Sequence, residues 1–330
     1  DIILFLYDML ANGAPSARIQ AAAALWNIAS VEEGRKVILR DAALVINLLF
    51  EVVEDELDPF PASNISVEFV FGALRSLTCE EKCCHLMVNP ERMEVLKSQL
   101  LIGRPRVVEH IMFVLYNISL IKPLREPLYS TGFVRPMVRI VKALAFSDVS
   151  VCLVIKHLAE NNPCNSRLVD DGVLPLLISY LSKESQLVTK KDVVCIALSN
   201  LAAPCGKVQI KCYDAGVVPP LLDLLVISED VGDVVNEYAA AVVQAIAVVY
   251  QNKLRLYNDG VVPLLLNLLR GDGHPMTKEQ AMAGLMWLAT GNSTQKLVYK
   301  CNVLPVILDV LTDKDGTITQ ATTEFACGAL

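Results

Sequence analysis

The chain has 330 residues, 53% of them hydrophobic and 20% charged, and a formal charge of −7. Such apolar content excludes intrinsic disorder, which needs low hydrophobicity and high net charge. The acidic balance argues against nucleic-acid binding, which needs a basic footprint.

In chain order, the first element is an apolar helix over Asp1–Leu10. An Ala-rich amphipathic helix follows at Ser16–Ser30, and similar helices recur at Val67–Thr78, Val107–Leu120 and Val149–Glu160. The series continues at Lys191–Ala202, Glu237–Tyr250, Glu279–Thr290 and, cut short, Thr322–Leu330. Their many valines suit strands, but strands rarely exceed about ten residues and strict alternation is absent, so helix is the expectation.

Between these helices stands a second recurring element. Asp171–Leu181 (DGVLPLLISYL), Ala215–Leu225 (AGVVPPLLDLL), Asp259–Leu269 (DGVVPLLLNLL) and Cys301–Leu311 (CNVLPVILDVL) read almost alike, and Thr131–Val141 is a looser copy. Each is a turn residue, two apolar residues and then a proline opening a leucine-rich helix. Glycine ends the preceding helix in a left-handed conformation, and proline in a first turn lacks only an N–H that has no partner there. Pro175, Pro219, Pro263 and Pro305 set a period of about 42–44 residues. Apolar faces that one unit cannot bury alone, repeated at that period, predict an all-α solenoid. The stretch Asp41–Thr78 lacks the opening proline.

The G-V-(L/V)-P and A-L-x-N-(I/L)-A patterns resemble the armadillo repeats of β-catenin and importin α, over essentially the whole chain. The resemblance implies a right-handed superhelical solenoid, one continuous domain over residues 1–330 of about seven and a half repeats. The chain begins and stops inside helices without a polar capping repeat, so it is expected to be a piece of a longer protein. No signal sequence is expected, and the longest charge-free run, Tyr238–Asn252, is shorter than the roughly 20 apolar residues of a membrane span.

The resemblance also implies a concave groove lined by the last helix of each repeat, where a recurrent Asn binds the backbone of an extended partner. A carboxamide suits that task because it donates and accepts whatever the partner's side chains. The matching positions here are Asn27, Ser76, Asn117, His157, Asn200, Val248 and Trp287. Four residues earlier, where importin α places tryptophan to hold basic import signals, stand Ala23, Gly72, Phe113, Leu153, Ile196, Gln244 and Ala283. No tryptophan survives, which disfavours a nuclear-import cargo receptor. The expected partner-binding residues are therefore Asn27, Arg75, Phe113, Tyr116, Asn117, Lys156, His157 and Asn200, with Trp, Tyr and Arg the types enriched at interface hot spots. Trp26 and Trp287 are expected to fill repeat interfaces.

Charge is uneven. Gly103–Lys142 holds seven basic residues, Arg104, Arg106, Arg125, Arg135 and Arg139 among them, against Glu109 and Glu126. That stretch could steer an acidic partner. An acidic cluster, Glu51, Glu54, Asp55, Glu56 and Asp58, is expected in a solvated loop before Pro59 and Pro61.

Other motifs fail on chemistry. Asp313 to Glu324 mimics a calcium loop, yet Thr317 and Ile318 occupy its fifth and sixth positions, where the sharp turn needs Gly at the sixth. Cys79, Cys83, Cys84 and His85 lack the second ligand pair of a structural zinc site. The ten cysteines are too sparse for a disulfide scaffold and imply a reducing, intracellular setting in which the three glycosylation sequons are idle. No catalytic or nucleotide-binding motif occurs. The expectation is a non-enzymatic protein-binding scaffold without metal or cofactor, in a cytoplasmic, cytoskeletal or ciliary assembly. A regulatory region of a larger enzyme, or an import receptor, is the alternative.

Overall fold

A helix stops sharply where the next residue turns left-handed, and glycine does so without a Cβ penalty. The computed structural model describes residues 2–55, 64–144, 149–160, 165–182, 190–203, 206–228, 231–312 and 318–330. Gly132, Gly172, Gly216 and Gly260 all sit at φ between 75° and 88°, and Asn302 takes the equivalent place at φ 59°. After each turn a helix begins with the repeat's proline inside its first turn. The helix starts one or two residues before the proline, as at Val173 ahead of Pro175.

Packing divides the chain into two compact units, Asp1–His157 and Leu158–Leu330. The first opens with α1 (Ile2–Asn12) and α2 (Pro15–Ala29). Two triplets follow: α3 (Glu32–Ile38), α4 (Ala42–Asp55) and α5 (Asn64–Leu77), then α6 (Glu81–Met87), α7 (Pro90–Ile102) and α8 (Pro105–Leu120). A third consists of α9 (Arg125–Ser130), α10 (Val134–Ala143) and α11 (Ser150–Ala159), and the unit boundary falls inside α11. The second unit holds α12 (Asn165–Asp170), α13 (Val173–Leu181) and α14 (Lys191–Ala202), then α15 (Gly206–Asp214), α16 (Val218–Leu224) and α17 (Asp233–Ala247). It ends with α18 (Tyr250–Asn258), α19 (Val261–Arg270) and α20 (Pro275–Ala289), and α21 (Gln295–Lys300), α22 (Val303–Leu311) and α23 (Gln320–Ala329). No strand occurs among the described residues, which hold one isolated bridge between Ser228 and Val231.

Each repeat thus has three helices where the sequence predicts two. The first helix of each triplet, six to nine residues long, is too short to show a helical apolar period. The long third helices stack side by side within each unit, α2 on α5 on α8 in one and α14 on α17 on α20 on α23 in the other. Small residues permit that approach. Ala239, Ala240, Ala281 and Ala283 are fully buried, and a Cβ on Gly284 would reach the α17 backbone at Gln244 (3.9 Å). α4 forms without an opening proline and takes Glu51, Glu54 and Asp55 into its last turns, correcting the loop expected there. Glu56, Asp58, Pro59 and Pro61 lie outside the described residues.

The short first helices carry a recurring clasp. The last carbonyls of a helix have no partner within it, and a buried one left unpaired costs about 1–3 kcal/mol. Six residues beyond such a carbonyl, a side chain in the first helix, or just before it at Thr294, reaches back to it. Arg35 Nη1 donates to the Ala29 carbonyl (3.0 Å), Cys84 Sγ to Thr78 (3.0 Å) and Arg125 Nε to Ser119 (2.8 Å). In the second unit Asn165 Nδ2 donates to Ala159 (3.2 Å), Asn252 Nδ2 to Ile246 (3.0 Å) and Thr294 Oγ1 to Leu288. Val208 occupies this place after α14 and has no donor, and Asn165 reaches the carbonyls of Asn200 (2.9 Å) and Leu201 (3.4 Å) instead.

Candidate protein-binding surface

In the first unit the third helices bring a row of rings and cations together. Trp26 of α2 meets Phe69 of α5 (centroids 6.1 Å) and the edge of His110 of α8 (5.2 Å). The indole also lies against Gly72, where an added Cβ would come within 2.5 Å of it. Trp26 therefore packs at a repeat interface. Arg75 sets its guanidinium carbon 3.9 Å above the Phe113 ring, and its Nη1 approaches Glu109 (3.3 Å) and His110 Nδ1 (3.5 Å). Phe113 meets Tyr116 edge-on at 5.8 Å, and Tyr116 stacks on His157 at 5.8 Å and 25°. Arg75, Phe113, Tyr116 and Lys156 are half-buried, one side packed and the other open.

The ladder position behaves differently from expectation. Asn117 is buried, and its Nδ2 donates to Thr78 Oγ1 at 3.1 Å and leans on the Arg75 carbonyl at 3.5 Å. His157 is buried likewise, its Nδ1 bonded to Ser119 Oγ at 3.0 Å. In both, a ladder residue grips the residue two beyond the ladder position of the preceding repeat. This corrects the expectation that the Asn117 amide is offered to a partner: its donor group joins two repeats. Asn27 is exposed on α2. Asn200, half-buried, belongs to the second unit, where its carbonyl accepts from Asn165.

The basic stretch spreads over three helices. Arg104 precedes α8, and Arg106 pairs with Glu68 of α5 at 3.0 Å. Arg125 is engaged in the clasp of α9, whereas Arg135 and Arg139 are exposed one turn apart on α10.

Sequence reasoning missed three residues here. His110 is buried and its Nε2 has no hydrogen-bond partner among the described residues; burial, and then the Arg75 charge, hold its pKa below the ordinary imidazole value. Arg35 faces the same space as Arg75 from α3. In the second unit Lys253 is 5% exposed, donates to Thr290 Oγ1 at 3.0 Å and lies 5.6 Å from the Trp287 ring. Burial lowers its pKa. His110 lies on the buried face of α8 with Val107, Ile111 and Val114, whereas Arg35 and Lys253 sit in short first helices; in all three the partners come from other helices, so tertiary packing reveals their roles.

Between α2, α3, α5 and α8 the row borders an open cavity of about 410 Å³, walled by Trp26, Phe113, Arg75 and Arg35, with Ser30, Ser76 and Cys79 around them. Among the described residues no group of three His, Cys, Asp or Glu side chains converges as a metal site. Cys83 and Cys84 are buried, which pushes their thiols up to about 11 and about 12. Asp313, Asp315, Gly316 and Thr317 of the calcium-like stretch lie outside the described residues. No single helix among the described residues is long and apolar enough to cross a membrane.

No protein-family model and no curated protein matches the chain. Solved structures do. An engineered protein, 20% identical, superposes with a TM-score of 0.79 over 100% of this chain and 77% of its own. A designed armadillo repeat protein, 22% identical, gives 0.61 over 73% of this chain and 98% of its own. Another, solved in complex with the peptide (KR)4, is 19% identical and gives 0.61 over 71% and 97%. With three-helix repeats, left-handed turns and third helices stacked within each unit, the chain has the armadillo-repeat fold, an all-α solenoid.

Proposed function

We propose that the chain is a non-enzymatic scaffold that binds an extended segment of another protein along the third helices of residues 1–157. The half-buried row Arg75–Phe113–Tyr116–Lys156 carries this reading. Its inner side is fixed by bonds between repeats, so its outer side is presented to a partner already ordered, which lowers the entropy cost of binding. Tyr and Arg suit such a surface, because a rigid amphipathic ring and a planar fork lose little freedom per contact. Designed proteins of the same fold, one of them solved with a peptide, support this mode. The missing tryptophans at Ala23, Gly72 and Leu153 support a partner other than a basic import signal. The free, buried thiols support an intracellular setting, for which a cytoskeletal or ciliary assembly is our proposal.

Affinity capture with the wild-type chain and with Tyr116→Ser and Lys156→Glu variants tests it. Partners held by the wild type should be lost by both variants while cooperative unfolding persists, with melting temperature nearly unchanged in Lys156→Glu and lowered by a few degrees in Tyr116→Ser, which loses ring contacts to Phe113 and His157. Capture that survives both substitutions would move binding away from these helices.

A further inference from the structure

The cavity between α2, α5 and α8 is built for a particular group. At about 410 Å³ it lies within the roughly 300–1,000 Å³ range of ligand pockets. Its walls hold two guanidinium groups, two hydroxyls, a thiol and two aromatic rings, and no carboxylate. The acids that pair with the two arginines stand outside it: Glu109 on Arg75 and Glu80 on Arg35, each at 3.3 Å. Those pairings leave hydrogens over. Arg75 uses only Nη1, so its Nε and Nη2 have no partner among the described residues. Arg35 spends Nε on Glu80 and Nη1 on the carbonyls of Ala29 and Ser30, leaving Nη2.

The Nε–Nη2 edge of a guanidinium presents two parallel N–H groups, which match the two oxygens of a carboxylate. Arg75 cannot swing freely, because its plane is held over Phe113 at 3.9 Å while Nη1 is tied to α8. Trp26 offers an apolar wall, its orientation fixed by Gly72 beneath it.

We infer that this cavity receives an acidic side chain of the bound segment, its carboxylate on the Nε–Nη2 edge of Arg75, with a neighbouring apolar side chain against Trp26. The inference rests on the peptide-binding reading above and specifies its chemistry. Arg35 Nη2 adds a second cationic donor beside the carboxylate, while the Ser30 and Ser76 hydroxyls, which donate to the Trp26 (2.8 Å) and Gly72 (3.2 Å) carbonyls, line the wall. A basic side chain would meet two fixed cations there without a carboxylate to receive it.

A random peptide library displayed on phage, selected on the purified chain, tests this. The expected result is enrichment of sequences with Asp or Glu beside an apolar residue. A synthetic peptide of that sequence should bind Arg75→Gln about tenfold or more weaker, the loss expected of a charge-assisted bond. Arg75→Lys should recover only part of the affinity, since an ammonium lacks the fork. Binding should also shield Cys79, an exposed thiol on the cavity wall, from alkylation while exposed Cys327 in the other unit still reacts. That footprint needs no variant, so it decides the question even if Arg75→Gln folds poorly. Basic or uncharged peptides that shield Cys79 would overturn the acidic assignment and leave peptide binding at this surface standing. Acidic peptides that leave Cys79 reactive would overturn the location. Failure to enrich any peptide would overturn both.

Discussion

At the scale of the residue, one side chain changes its expected task. The pattern A-L-x-N marks Asn117 correctly as a special position, because a carboxamide on an apolar helix needs partners. Which way the amide turns depends on Thr78, in the preceding repeat, and no local pattern carries that distance. Asn117→Ala should therefore cost about 1–3 kcal/mol of stability, read from denaturant unfolding, by removing the donor to Thr78 Oγ1; the Arg75 carbonyl keeps its bond from the Thr78 hydroxyl (2.9 Å). His110 brings a pH dependence. Burial, then the Arg75 and Arg106 charges, lower its pKa, while Glu109 and Glu68 pull the other way. As pH falls below about 6.5 the unfolded chain takes up this proton before the folded one, so stability is lost from there down to the lower folded pKa. A His110→Gln variant should lose less stability than the wild type between about pH 7 and pH 5. An identical decline in both would show that the ring titrates freely.

At the scale of the element, the sequence discloses what is periodic or punctuated and hides what is short. All eight third helices fall within a turn or so of their expected bounds, and Lys191–Ala202 matches at both ends. The left-handed turns were equally legible, because glycine before V-x-P has one good use. The first helices were not, since six to nine residues make about two and a half turns at most. Their clasps are legible only afterwards, as a donor six residues beyond a helix end. Asn165 serves the ends of two third helices, α11 and α14, through one nitrogen. Asn165→Ala should cost about 1–3 kcal/mol, with hydrogen exchange quickening at the ends of both helices. Exchange rising at α11 alone would mean that α14 does not depend on it. Asn302, at φ 59°, does the work that glycine does elsewhere. A branched residue pays most for that backbone, so Asn302→Val should destabilise by about 1–2 kcal/mol and Asn302→Gly should be neutral or stabilising.

At the scale of the whole molecule, the row proposed as the site is made mostly of residues the sequence also proposes, and its ordering comes from contacts between repeats. Arg75, Phe113 and Tyr116 were visible as residue types enriched at interfaces; the cavity they share with Trp26 and Arg35 was not, because it joins α2, α3, α5 and α8. The turns have a further consequence, for the lengths this chain can take. Each repeat is closed by signals lying within a few residues of its own joint, so nothing in one joint specifies which repeat comes next. Excising residues 216–259 would rejoin Ala215 to Gly260 and restore the same Ala-Gly-Val-Val-Pro junction one repeat shorter. Such a deletion should still melt cooperatively, whereas removal of half that length, joining a first helix to the middle of a third, should abolish folding. Thermal unfolding followed by circular dichroism separates the two. Insertions and losses in this molecule are thus tolerated in whole periods, as a reading frame tolerates whole codons.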